Sequence, residues 1–155
     1  MINRIAALAL AAALLAPAVV SAQNTYDDQQ QLIAQIQTDK RAVVMDAMKF
    51  TDAEAQAFSP VYDGYQAEMK TTYKAGADLL NKYAANYDTM TDESAKAILK
   101  DWFKIRDQRN DLVEKYAKKL GKELPPKKVL RWVQIEHKLN TLLDAQTAAM
   151  IPLTK

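Results

Sequence analysis

Apolar residues recur every three or four positions through three long stretches of this chain, the spacing of a helix that buries one face. Phe58, Val61, Tyr62, Tyr65, Met69, Tyr73, Gly76, Leu79, Leu80, Tyr83 and Tyr87 form the first stripe. Ile98, Leu99, Trp102, Val113, Tyr116, Ala117 and Leu120 form the second, and Val129, Trp132, Val133, Ile135, Leu139, Leu142, Leu143 and Met150 the third. A shorter pattern of Leu32, Ile33, Ile36, Val43, Val44 and Met48 predicts a helix from about Asp28 to Met48, with a polar middle at Thr38-Asp39-Lys40 that packs only at its ends. Nothing alternates with period two over a strand's length. The fold class is all-α, with four helices in long antiparallel hairpins.

Local signals place the ends of these helices. Thr51 with Glu54 three residues later is a capping box, and Thr91 is an N-cap with Asp92 and Glu93 in the first turn, where carboxylates suit the helix dipole. Thr51-Asp52-x-x-Ala55 echoes Thr91-Asp92-x-x-Ala95 forty residues on. Gly121 suits the left-handed residue that ends a helix, Pro126 suits a first turn, and Pro152 stops the last helix. Pro60 should bend the second helix, and Gly64 should weaken it locally. Gly76 lies opposite Trp102, a small residue against a large one. Folding the last two helices about Glu123 places Arg109 near Glu136, Arg106 near Leu139 and Asn140, and Trp102 near Leu143. Arg109 and Glu136 are then a structural ion pair that sets helix register.

The first residues do not fit a helical domain. Arg4, the apolar run Ile5 to Leu15 and the small residues Val20-Ser21-Ala22 have the order of a secretory signal peptide, 1–22, cut between Ala22 and Gln23. Residues 23–155 then form a single all-helical domain, periplasmic or secreted, with no stable membrane anchor. The chain contains no cysteine, so export brings no disulfides.

Candidate chemistry is sparse. The single histidine, His137, excludes a multi-histidine metal cage within one chain, and no nucleophile elbow or phosphate-cradling glycine loop is present. Met45 and Met48 are a close pair, but methionine at helical spacing serves packing. The chain reads as a non-enzyme with no cofactor and no metal, and a formal net charge of +2 argues against nucleic-acid binding. Charge is concentrated around the last turn: seven basic residues against Glu123 alone between Lys115 and Arg131. Lys118 and Lys119 suit a helix C-terminus, whereas Lys127 and Lys128 oppose the dipole at a helix start. Lys118, Lys119, Lys122, Lys127, Lys128 and Arg131 are therefore the candidate partner-binding residues for an acidic protein or an anionic surface, the alternative being a tip kept solvated by its charge. The tyrosines of the second helix offer a second candidate surface, or else line the core with hydroxyls at its rim.

An apolar-Thr-x-x-polar helix start occurs twice, as Phe50-Thr51-Asp52-Ala53-Glu54 and Met90-Thr91-Asp92-Glu93-Ser94. Together with the signal-peptide pattern, the helical mature chain, Phe58-x-Pro60-x-Tyr62-x-x-Tyr65 and Leu124-Pro125-Pro126-Lys127-Lys128, it resembles the periplasmic Spy/CpxP-like proteins, named for an LTXXQ motif. Here Phe or Met replaces the Leu, and Glu or Ser the Gln. The resemblance implies a four-helix fold of long hairpins, often a homodimer shaped as a curved cradle. It implies a chaperone-like or envelope-stress role with unfolded or envelope proteins as partners, or a regulatory subunit docking on the acidic periplasmic domain of a sensor kinase. The histidines of the metal-sensing branch are missing.

Overall fold

The computed structural model describes residues 39–155. The signal peptide, its cut at Ala22/Gln23 and the first part of the first helix lie outside the described residues. Residues 39–48 are helical (α1), followed by α2 (Asp52–Asn86), a single 3-10 turn at Tyr87–Thr89, α3 (Asp92–Leu120) and α4 (Pro126–Met150). No strand occurs among the described residues, and the fold is all-α as the periodicity predicts. None of the described helices is long and apolar enough to cross a membrane.

The helix starts follow the local chemistry. The Thr51 hydroxyl accepts from the Glu54 N–H, and the Glu54 carboxylate accepts from the Thr51 N–H at 2.9 Å. Thr91 and Ser94 form the same reciprocal pair, with serine in place of the longer acid. Pro126 opens α4, where a missing N–H costs nothing. α2 runs unbroken through Pro60.

One expectation about the turns is corrected. Gly121 is right-handed, at φ −65°. α3 ends instead through tightening turns in which the N–H groups of Glu123 and Leu124 both bond back to the Leu120 carbonyl. That winding buries Leu124 under the turn. The left-handed residue is Lys49, at φ 49°, just after α1.

The chain has two ends. One, the turn end, holds the α1–α2 connection and the α3–α4 turn. The other, the far end, holds the α2–α3 connection and residues 151–155. α2 and α3 lie against each other, while α3 and α4 approach far less. α4 meets α2 through long side chains: Trp132 stands edge to face on Tyr65, with ring centres 5.2 Å apart. The core sits at the turn end and contains Val44, Met48, Phe58, Tyr62, Tyr65, Met69, Tyr116, Leu120, Leu124 and Trp132. Phe50, Phe58, Tyr62 and Tyr65 form a ladder of rings with successive centres 4.7, 4.9 and 5.8 Å apart. Each fully buried ring of this kind contributes roughly 1.5–3 kcal/mol relative to exposure.

The glycine expectations exchange places. A methyl on Gly64 would lie 3.1 Å from the Tyr116 hydroxyl oxygen, so Gly64 lets α3 come close to α2. A methyl on Gly76 would meet nothing within 4 Å, and Trp102 is 55% exposed rather than packed on it. Small faces large, but at the turn end.

Candidate functional site

The expected Arg109–Glu136 pair does not form, because each residue has another partner. Arg109 makes a two-pronged contact with Asp144 at 2.8 and 2.7 Å, about two turns further along α4. The register was derived for helices packed along their whole length, and α3 and α4 are not. Glu136 is fully buried and pairs with Lys40 of α1 at 2.6 Å.

Lys40 overturns the reading of a polar middle in the first helix. It is 5% exposed and follows the spacing of Val44 and Met48, so it rides the buried face. Around it the structure assembles a polar cluster from three helices. The Tyr65 hydroxyl donates to Glu136 at 2.7 Å, and the Tyr62 hydroxyl points at the other carboxylate oxygen from 3.5 Å. Lys40 also donates to the Tyr73 oxygen at 2.9 Å, and Tyr73 reaches Asn140 at 3.4 Å. Burial opposes the charge on Lys40, but Glu136 and Tyr73 outweigh it and hold the ammonium above its usual range. Burial first, then the nearby Glu136 charge, push the Tyr62 and Tyr65 hydroxyls well above theirs. A lysine held charged is no nucleophile, and a carboxylate sealed at zero exposure meets no substrate. This cluster locks α1, α2 and α4 into one register. Tyr62 and Tyr65 thus face inward with their hydroxyls in the core rather than at its rim, while Tyr73 is half-buried and Tyr83 and Tyr87 stay partly exposed.

The basic residues of the tip divide into two groups. Lys128 donates to the Lys49 carbonyl at 2.7 Å and the Met48 carbonyl at 3.3 Å, and pairs with Glu54 at 3.1 Å. Arg131 donates through Nε to the Ala47 carbonyl at 2.8 Å. Both cations therefore cap the C-terminal end of α1, where unpaired carbonyls and the helix dipole favour positive charge. The unfavourable place of Lys128 at the start of α4 is explained by a neighbouring helix, whereas that of Lys127 is not. The Glu54 carboxyl is held below its usual range by the Thr51 N–H and by Lys128. The other four stay at the surface. Lys118 pairs with Glu114, Lys119 lies over the Tyr116 ring at 4.2 Å, and Lys122 and Lys127 face solvent. Glu68 accepts from Lys115 and from the Tyr116 hydroxyl, which is pushed up to about 12 by burial and by that carboxylate.

At the far end the apolar stripes continue but lose their cover. Leu99, Trp102 and Phe103 on α3 are 53, 55 and 49% exposed, and Leu142 on α4 is 58% exposed. Ile98 is the one buried hydrophobic residue of this half of α3. Arg106 lies over the Phe103 ring at 5.0 Å, leaving Phe103 bordered by charge. Of the exposed residues, periodicity identifies Leu99, Trp102 and Leu142 as stripe residues of a buried face but not Phe103. Among the described residues no group of three or more His, Cys, Asp or Glu gathers as for a metal ion, and His137 is exposed.

Comparison with family models, with characterised proteins and with solved structures finds no match to this chain.

Proposed function

We propose that this protein is a helical binding protein of the cell envelope that holds partly unfolded chains, in the manner of a chaperone. The observation that carries the reading is the row Leu99, Trp102 and Phe103, three large apolar side chains within one turn of α3 and each about half exposed. A one-turn cluster of Leu, Trp and Phe at a surface marks an interaction site rather than scatter. Its neighbours Arg106 and Lys100 are cations on flexible stems, suited to apolar segments of varied sequence. The signal-peptide pattern supports placement in the periplasm or outside the cell, where helper proteins work without nucleotide.

The test is suppression of aggregation. Near-stoichiometric protein should keep several unrelated denatured proteins from scattering light. Replacing Leu99, Trp102 and Phe103 together by serine should abolish this with little change in melting temperature. A protein that ignores these clients but captures one acidic sensor domain through Lys119, Lys122 and Lys127 is a regulator, and the chaperone reading is then wrong.

A further inference from the structure

Residues 151–155 do not trail away from the end of α4. Ile151 is extended, at φ −98° and ψ 116°, as the following proline demands. The chain then lies across the C-terminal end of α2. The Tyr83 hydroxyl donates to the Pro152 carbonyl at 2.7 Å and lies 3.3 Å from the Thr154 hydroxyl. One helical turn on, the Tyr87 hydroxyl donates to the Leu153 carbonyl at 3.3 Å. Lys155 pairs with Asp88 at 2.6 Å, and its ammonium lies over the Tyr87 ring at 5.0 Å. Leu153 itself is 90% exposed.

The recognition is therefore of main chain and charge. Two phenol donors, spaced by a helical turn, read adjacent backbone carbonyls, and a carboxylate with an aromatic face reads a cation two residues later. Backbone in extended or polyproline form makes no internal hydrogen bonds, so its carbonyls are open to such donors. Any sequence carries those carbonyls, whereas a folded helix hides them. The Leu153 side chain contributes little, so its identity is not what is read.

We infer that Tyr83, Tyr87 and Asp88 form a docking site for an extended peptide carrying a basic residue, and that residues 151–155 occupy it in cis. The segment is a built-in competitor. Tethered directly to α4, it sits at an effective concentration on the order of millimolar, so an incoming chain must displace it. The proposal deepens the client-holding reading by naming a conformation and a charge for part of the client, but the site stands on its own contacts.

A labelled peptide of residues 148–155, followed by fluorescence anisotropy, separates the two. It should bind a chain ending at Met150 saturably, and at least about tenfold more weakly to the full chain, whose own segment fills the site. Tyr83→Phe with Tyr87→Phe in the shortened chain should weaken binding by about tenfold or more, and Lys155→Glu in the peptide should do the same. Equal binding to the shortened and full chains, or none to a shortened chain of unchanged helicity, overturns the site whatever the aggregation assay shows. Peptide binding without aggregation suppression leaves the site standing and removes only the chaperone reading. Should shortening unfold the protein, a spin label at position 154 of the full chain serves instead. The label should be immobile, and become mobile on the Tyr83→Phe/Tyr87→Phe change or on adding excess peptide. A label already mobile, or unmoved by both, refutes the proposal.

Discussion

The two ends of the molecule use the same materials to opposite effect. At the turn end, rings from α2, α3 and α4 interlock, and an acid and a base are sealed among them. At the far end, a tryptophan, a phenylalanine and leucines of the same helices stand half in water, and the ion pair joining α3 to α4 has its Asp144 carboxylate more than half exposed. Composition does not separate the ends. Among the described residues, what separates them is the number of helices that meet: at the turn end α1 lies against α2 and α4, and Gly64 lets α3 close in. An apolar stripe along a helix shows what can be buried, and a third and fourth element decide how much of it is.

Breaking one ion pair at each end should expose that contrast most strongly. Lys40→Met leaves Glu136 charged and buried without its cation, and should cost about 3–5 kcal/mol. Adding Glu136→Gln should return part of the loss, since Tyr65 keeps an acceptor and no orphan charge remains. Arg109→Met, by contrast, breaks a bidentate pair whose carboxylate reaches solvent and should cost about 1 kcal/mol. Chemical denaturation of the four proteins decides, and similar losses for Lys40→Met and Arg109→Met would erase the distinction.

Alkaline pH should attack the turn end selectively. The folded Lys40 value lies above its ordinary 10.5, so its contribution is whole below that value and is lost as pH rises through the folded one. Tyr62 and Tyr65 act in the same direction. Above about pH 10 the unfolded chain sheds phenolic protons that the folded chain keeps, and stability falls. Melting temperature should therefore decline above about pH 10, and Tyr62→Phe with Tyr65→Phe should flatten the decline. An unchanged slope in that variant would place the titration elsewhere.

The smallest effect is a comparison of glycines. Gly76→Ala fills open space in a helix and should stabilise by about 1 kcal/mol. Gly64→Ala carries the same propensity gain, but its methyl presses on a Tyr116 hydroxyl held by Glu68, so it should gain less or lose. Thermal melts of the two variants side by side measure the difference in backbone approach.

Helix number and the starts of α2, α3 and α4 were legible because they rest on local chemistry: Thr51 with Glu54, Thr91 with Ser94, Pro126 and the three-four spacing all act within one turn. Pairing between helices was not. Glu136 on an apolar stripe announces a buried partner, yet proximity along the chain points to Arg109, just across one turn. Lys40 carries the same signal, a lone cation at four-residue spacing with Val44 and Met48, but it lies 96 residues away, and periodicity says nothing about which stripe meets which. The exposed row on α3 was equally hidden, since Trp102 has identical spacing whether a neighbour covers it or not. The docked residues 151–155 gave no signal beyond a proline, because main-chain recognition leaves no pattern in side chains.

The cap on α1 also sets an order of events. The carbonyls of Ala47, Met48 and Lys49 wait for Lys128 and Arg131, about eighty residues later in the chain. A chain made or threaded from its N-terminal side presents α1 first and its closing cations nearly last. Contacts of such long sequence separation form late and slowly, since loop entropy must be overcome before they repay it. The earliest helix to emerge is thus the latest to settle. In the interval Val44 and Met48 are uncovered, so a protein proposed to shelter others passes through a stage in which it needs shelter itself.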